Sequence, residues 1–445
     1  MVSNSRRCLP RRSAVIFVLL PFLMILAFVS TVSAQLGTPV ASSSPAEPTT
    51  LAPAWLEFGP DGRLIARVIT QAECPALVTD GLDLDMTRRA PASDAFPVLS
   101  CEATVPFGTE KASILGQELP LPMGPIRRIA VLGDTGCRVN DWEKKYQACN
   151  DPESWPFAEV AQAVADWDPD LIVHVGDYLY RESPCPNAMA GCQDNPHGDN
   201  WATWDADFFT PATSVLGAAP WLFMRGNHET CDRNPVGWFT FLDPRRYQST
   251  CQRFTEPYVT TLRGVSFAVI DSAEAADTSD TPQEAAEYGR QFDLLADITT
   301  AGTWLVTHRP VWGILDGKEG DFQVENAAFD AATKGALKGD YGLVLSGHIH
   351  IAESLGFDEA SERPPQLVSG NAGTALDQIP TASPTAGELH DPAVTQAETL
   401  SSFGFMTLEP AEMGWTATQR DKGGKPLLEC VVVLDQLTCE APDRN

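Results

Sequence analysis

The spacing of apolar and polar positions changes several times along the 445-residue chain. Ala14–Val29 is an apolar run interrupted only by Pro21. Gln35–Ala54 is rich in Pro, Ser, Thr and Ala and reads as a flexible linker. From Trp55 to about Leu121, short apolar stretches such as Leu64–Ile69 and Ala112–Leu115 alternate with Pro, Gly and Asp turns, which predicts a small all-β domain. Leu119–Pro125, with three prolines, reads as a second linker. Beyond it, apolar runs recur at Ile126–Leu132, Leu171–Val175, Trp221–Met224, Val265–Ile270, Thr303–Thr307 and Leu343–Ser346, the signature of buried strands. Between them, Phe157, Val160, Ala161, Val164 and Trp167 fall on one helical face, with Pro156 near its first turn. Helical patterns recur near Glu284–Ile298 and Asp321–Leu337. Alternating strands and helices predict an α/β core. Pro380–Leu400 is polar and reads as a surface loop, and the tail from Phe403 reads as strands ending in a Cys430/Cys439 hairpin. The expected organisation is a leader over 1–34, a linker over 35–54, a β domain over 55–121, a catalytic domain over 126–410 and a β extension over 411–445.

Composition adds a compartment. With 43% hydrophobic and 20% charged residues, a sizeable core is available and disorder is not expected. Arg6, Arg7, Arg11 and Arg12 precede the first apolar run, and Val32-Ser33-Ala34 follows it as a small-residue cleavage site. This predicts a cleaved export signal rather than a retained membrane anchor, so no stable span is expected after cleavage. Ser5-Arg6-Arg7 faintly resembles a twin-arginine signal. Cleavage leaves 27 basic against 59 acidic residues, a net charge of −32 compared with −28 for the whole chain. Such a surface disfavours long nucleic acid as a partner. Ten of the eleven cysteines remain, grouped as neighbours: Cys74/Cys101, Cys137/Cys149, Cys185/Cys192, Cys231/Cys251 and Cys430/Cys439. An even number in an exported chain predicts disulfides, and sequential pairing is expected, although spacing alone does not fix connectivity. No C-x-x-C pair is present to suggest a cysteine metal site.

Five short segments carry the chemistry: GDTG at Gly133–Gly136, GDYLY at Gly176–Tyr180, GNHE at Gly226–Glu229, THRP at Thr307–Pro310 and GHIH at Gly347–His350. Four directly follow predicted strands and the fifth closes one. Loops at the carboxyl ends of strands in an α/β sheet converge on one crevice, so distant segments can build one site. Asp134, Asp177, Tyr180, Asn227, His308, His348 and His350 are all N or O donors. A carboxylate such as Asp177 can bridge two cations, and neutral imidazoles suit Zn, Fe and Mn. Because a phenolate is costly at neutral pH, Tyr180 points to Fe(III). Glycines before Asp134, Asp177, Asn227 and His348 fit tight turns and close backbone approach.

These segments resemble the metallophosphoesterase (calcineurin-like) superfamily and, within it, the purple acid phosphatases, whose pattern is GDxG, GDxxY, GNH[DE], VxxH and GHxH. Four segments match outright. Leu305-Val306-Thr307-His308 has Leu where Val is usual, a change that does not touch the ligand. The wider superfamily usually has His at the position of Gly136. Its absence, together with Tyr180, selects the purple-phosphatase subgroup. The match covers roughly residues 128–350. The resemblance implies a β-sandwich flanked by helices. It also implies one metal held by Asp134, Tyr180 and His350, a second held by Asn227, His308 and His348, and Asp177 as the bridge. His228 would bind the phosphoryl group and help protonate the leaving oxygen. Fe(III) with Fe(II), Zn(II) or Mn(II) is the implied pair. The implied reaction is hydrolysis of a small phosphomonoester by attack of a metal-bound hydroxide on phosphorus, in line with the leaving group.

Other residues are less determined. Arg309, Lys318 and His197 are candidate substrate contacts, and surface salt bridging competes for the first two. The insertion Arg181–Pro220, with His197, Trp201, Trp204, Phe208 and Phe209, is either a substrate wall or a disulfide-pinned loop packing its own aromatics. His174, within a strand, is expected to be a hydrogen-bonded core histidine. Asp271 and Glu229 are candidates for orienting a ligand. Two rival functions stand beside the monoesterase. One is a phosphodiesterase or nucleotidase on the same metals. The other is a non-enzymatic binding protein reusing the fold, for which lost ligands would be expected and none is lost.

Overall fold

The computed structural model describes residues 50–279, 281–316, 322–379 and 381–440. The expected leader, most of the linker and Lys318 therefore lie outside the described residues. Two mixed sheets face each other. In the first, the parallel strands Ile129–Leu132, Leu171–His174 and Trp221–Phe223 lie side by side at the centre. In the second, Val265–Val269, Thr303–Val306, Tyr341–Ser346 and Gln366–Ser369 are parallel neighbours.

The strands are apolar on both faces because both faces are covered. Ile129 and Val131, with Val173 and Leu222, point between the sheets and meet Phe267, Val269, Trp304, Val306, Leu343 and Leu345. Ala130, Leu132 and Ile172 point the other way, onto the helix Phe157–Asp166 and the aromatics of residues 201–242. That helix buries Phe157, Val160, Ala161 and Val164, the stripe its spacing predicts. The second sheet's outer face is covered by the helix Pro282–Ile298, opened by a Thr281–Glu284 capping box, and by Ala327–Thr333. The latter is shorter than the helix expected over Asp321–Leu337, because Phe322–Glu325 is a strand. The layered α/β sandwich is the expected fold.

Three expectations about organisation change. Residues 55–121 are β-rich, as predicted, but do not form a separate domain. Trp55–Phe58 pairs in parallel with Trp221–Phe223, and Leu64–Thr70 and Leu99–Thr104 continue the same eleven-stranded sheet. The tail strands Gly404–Pro410, Trp415–Asp421, Pro426–Val433 and Gln436–Glu440 complete its other side, so the β extension also belongs to the core sheet. Pro380–Leu400 is not loop throughout: Val394–Leu400 pairs with Ala352–Phe357 as the edge of the second sheet.

All five expected disulfides are present: Cys74–Cys101, Cys137–Cys149, Cys185–Cys192, Cys231–Cys251 and Cys430–Cys439. Among the described residues no helix is long and apolar enough to cross a membrane.

Candidate metal centre

The central strands of both sheets end at the same place, and the five motifs are the turns that leave them. Three motif residues, Asp134, Asp177 and His348, have φ of 57°, 61° and 73°. A non-glycine residue in this left-handed region is strained and persists where its surroundings fix it. Here backbone donors fix it. Asp134 Oδ2 accepts from the His348 N–H at 2.9 Å, and Asp177 Oδ1 accepts from the His228 N–H at 2.8 Å. Each carboxylate thus spends one oxygen on the backbone of another motif and presents the other inward.

The inward oxygens meet the remaining donors. Tyr180 Oη lies 2.8 Å from Asp134 Oδ1, 2.7 Å from Asp177 Oδ2 and 2.9 Å from His350 Nε2. On the other side, His308 Nε2 lies 3.0 Å from Asn227 Oδ1 and 3.3 Å from Asp177 Oδ2. Donor atoms of Asp177, His308 and His348 all fall within 4.8 Å of one another. Asp177 Oδ2 belongs to both groups. Six of these seven side chains are buried, and only His348 is partly exposed. They are N and O donors, a set that fits metal ions.

Each histidine is oriented from behind. His308 Nδ1 donates to the Val175 carbonyl at 2.8 Å, which turns Nε2 inward. His350 Nδ1 lies 3.6 Å from Asp377 Oδ1 and 3.1 Å from an Arg138 nitrogen. His348 Nε2 is 2.9 Å from Asp277 Oδ2 and 3.0 Å from Arg309 Nη1, and Arg309 in turn pairs with Asp277.

The electrostatics mirror this layout. Among these side chains alone, burial would lower His308, but the Asp177 carboxylate outweighs it and raises the imidazole to about 9. Burial likewise opposes, and Asp377 and Asp134 overcome it, to raise His350 to about 9. Burial would raise Asp177, yet His308 and then His228 hold it well below the usual carboxylate range. Burial, then Asp134 and Asp177, push the Tyr180 phenol well above its ordinary value. A phenolate here therefore asks for a strong positive charge beside it. Positive charge bound in this cluster exchanges with protons, so binding is coupled to proton release. His228 is the opposite case: burial, then the Arg233 charge, lower it well below its ordinary value. Its ring lies tilted against that of Tyr180, with centroids 3.7 Å apart, at the edge of the donor cluster.

The remaining candidates separate clearly. Arg309 lies beside the cluster. His197 is exposed and brought to no motif residue, its carbonyl accepting from Asn200. Trp204, Phe208 and Phe209 pack into the main core, so the insertion packs its own aromatics rather than walling the substrate. The insertion still serves the site through Asp207, whose buried carboxylate accepts from the backbone of Cys137, Tyr180 and Arg181 at 2.9–3.1 Å. His174 is a core histidine stacked on Tyr178 and hydrogen-bonded with Thr135. Glu229 orients no histidine. It accepts from the Tyr178, Leu179 and Gly226 N–H groups, tying two motif turns together. Asp271 pairs with Arg225 and accepts from Thr255 rather than steering a ligand. Nothing in the sequence marks Asp207, Asp277, Asp377, Arg138 or Arg233. All five lie outside the motifs; Arg138 and Arg233 follow GDTG and GNHE within a few residues, whereas only the fold brings the three aspartates to the site.

Residues 127–352 match the family model for the calcineurin-like phosphoesterases, and the chain belongs to that family. It is a metallophosphoesterase, a hydrolase acting on phosphoric esters. Among solved structures, the fold is similar to a purple acid phosphatase, PPD1, from yellow lupin seeds. That match has 14% identity and a TM-score of 0.52, and covers 87% of this chain and 74% of the lupin protein. It is also similar to PhoD, with 13% identity and a TM-score of 0.54, over 90% of this chain and 94% of PhoD. No curated protein sequence matches the chain.

Proposed function

We propose that the protein is an exported phosphomonoesterase of the purple-acid-phosphatase type that works with two metal ions. The observation that carries this reading is the convergence of two donor groups on one shared oxygen, Asp177 Oδ2. Asp134, Tyr180 and His350 would hold Fe(III), and Asn227, His308 and His348 would hold Fe(II), Zn(II) or Mn(II), with Asp177 bridging. When bound, such a pair supplies Lewis-acid polarisation and an activated water nucleophile for phosphoryl transfer. The protein's own part is positioning. Asp277, Asp377 and the Val175 carbonyl fix the imidazoles that face the cluster. His228, at its edge, would bind the phosphoryl group and help protonate the leaving oxygen. Burial and the Arg233 charge hold the pKa of that imidazole below its ordinary value, and the negative charge of a bound substrate would act in the opposite direction. Five disulfides support export.

Metal analysis and a visible spectrum of the purified protein, combined with an ester panel, test the proposal. Iron with a tyrosinate charge-transfer band that disappears in Tyr180→Phe is expected. So is hydrolysis of p-nitrophenyl phosphate that Asp177→Ala and Asn227→Ala abolish. A colourless zinc or manganese protein would refute the iron assignment. Predominant turnover of bis(p-nitrophenyl) phosphate or of cyclic nucleotides would replace the monoesterase with a diesterase.

A further inference from the structure

Beside His228 lies a group of residues that the metal reading leaves unused. Glu182, partly exposed as a residue but with its side chain only 7% exposed, is its hub. It takes a bidentate pair from Arg233, with Nε at 2.6 Å and Nη2 at 2.7 Å, and also accepts from Asn140 Nδ2 at 2.7 Å and Asn234 Nδ2 at 3.2 Å. Arg233 Nη2 in turn lies 3.0 and 3.2 Å from the two His228 ring nitrogens. Asn140 begins the tip of a hairpin formed by Val139–Asn140 and Lys145–Tyr146, which the Cys137–Cys149 disulfide closes at its base. Asn140 Oδ1 accepts from the N–H groups of Trp142 and Glu143, so the tip is fixed to the same hub. Trp142 is therefore held in a defined place relative to His228. The Arg233 guanidinium carbon sits 5.5 Å from its ring centroid.

Exposure rises along this path. Asp177 is 1% exposed, the Arg233 side chain 16% and Trp142 70%. An exposed indole on a backbone fixed beside the donor cluster offers apolar surface that a ligand ring can cover. Arg233 approaches the ring from the protein side, and the exposed remainder is free to stack. A guanidinium fixed by one carboxylate keeps donors for a second anion and suits a tetrahedral phosphoryl group.

We propose that Arg233 and Trp142 form the substrate-side binding patch. Arg233 would position the phosphoryl group against His228, and Trp142 would stack on the alcohol portion of the ester. The preferred substrates are then phosphomonoesters whose alcohol carries a planar ring, as in aryl phosphates and nucleoside monophosphates. This inference rests on the phosphomonoesterase reading above and narrows its substrate class.

Binding of non-hydrolysable phosphonates to the metal-loaded protein, measured by calorimetry, tests it alongside steady-state kinetics. Phenylphosphonate is expected to bind roughly five- to tenfold more tightly than methylphosphonate, in line with an aromatic pair. Trp142→Ala should erase that ratio and Trp142→Phe should retain it, with KM for p-nitrophenyl phosphate raised in the first and KM for glycerol 2-phosphate unchanged in both. Arg233→Ala should weaken both phosphonates alike, and Arg233→Lys should restore part of the loss. A wild-type protein that hydrolyses phosphomonoesters without any ring preference would overturn the proposal. So would a preference that survives Trp142→Ala. A wild type that binds neither phosphonate and turns over no monoester would remove both this proposal and the function beneath it.

Discussion

Asp177 is closely confined by its neighbours, and Gly226 is the neighbour with least room. A Cβ on Gly226 would lie 1.9 Å from Asp177 Oδ1 and 2.2 Å from the Asp177 N–H nitrogen. Neither atom can retreat, because Oδ1 already accepts from His228 and the aspartate backbone is in the left-handed region. Gly226→Ala is therefore expected to give a folded protein with less bound metal and activity reduced on the order of a hundredfold, the scale of an ångström's displacement at a reacting centre. Metal content per chain and circular dichroism check this. Gly124→Ala, where an added Cβ meets nothing within 4 Å, is the silent control. The glycine was legible in the sequence because it opens the GNHE segment beside Asn227, although the ligand it makes room for is the distant Asp177. The seven donors were legible likewise, each within such a segment. Asp277 and Asp377 were not legible, although they lie 2.9 and 3.0 Å from His348 and His350. They lie 71 and 27 residues away from those histidines, in stretches without periodicity, and a single aspartate in a loop carries no local mark of what it will face.

The elements were legible to the extent that burial is symmetric. Strands covered on both faces read as plain apolar runs, and Leu171–His174 and Thr303–Val306 are of this kind. Val394–Leu400 was missed because it is an edge strand, with buried and partly exposed positions interleaved with polar side chains. Two hairpins of similar size show how differently elements bear on function. The Cys430–Cys439 bridge joins directly opposed residues of Pro426–Val433 and Gln436–Glu440 at the rim of the first sheet. The Cys137–Cys149 bridge closes the hairpin that begins with Arg138 against His350, and the Cys137 N–H is held by Asp207. Replacing the first pair by Ser should lower unfolding stability by about 2–3 kcal/mol through chain entropy, with kcat per bound metal unchanged. Replacing the second should cost stability on the same scale and also lower kcat roughly tenfold or more, because it loosens residues around His350. Equal catalytic losses in the two double variants, measured on metal-normalised protein, would show that the hairpin next to the site has no special role.

Domain boundaries were the least legible feature of the whole molecule. Leu119–Pro125 has the composition of a linker, and nothing in the pattern of residues 55–121 reveals that its strands pair outside the segment. Sheet pairing is non-local, and a parallel contact such as Glu57 with Trp221 leaves no trace in either stretch of sequence. The buried polar contacts make the consequence specific. Arg67 donates to the carbonyls of Phe241 and Asp243 and pairs with Glu57 at 2.9 Å, while Arg89 donates to Phe239, Asp243 and Arg245. Removing 55–121 would strip these carbonyls of the guanidinium donors that satisfy them in the intact protein. It would also expose the three-residue strand Trp221–Phe223 as a bare sheet edge and uncover Trp221, which shares a core with Trp55. A chain comprising residues 122–445 is therefore expected to be insoluble or to melt without a cooperative transition, although it retains every proposed metal ligand and the whole matched family region. A soluble fragment with a sharp calorimetric transition and full metal content would show instead that the N-terminal strands only decorate the sheet. The strand that carries GNHE would then have to hold its register from Leu171–His174 alone.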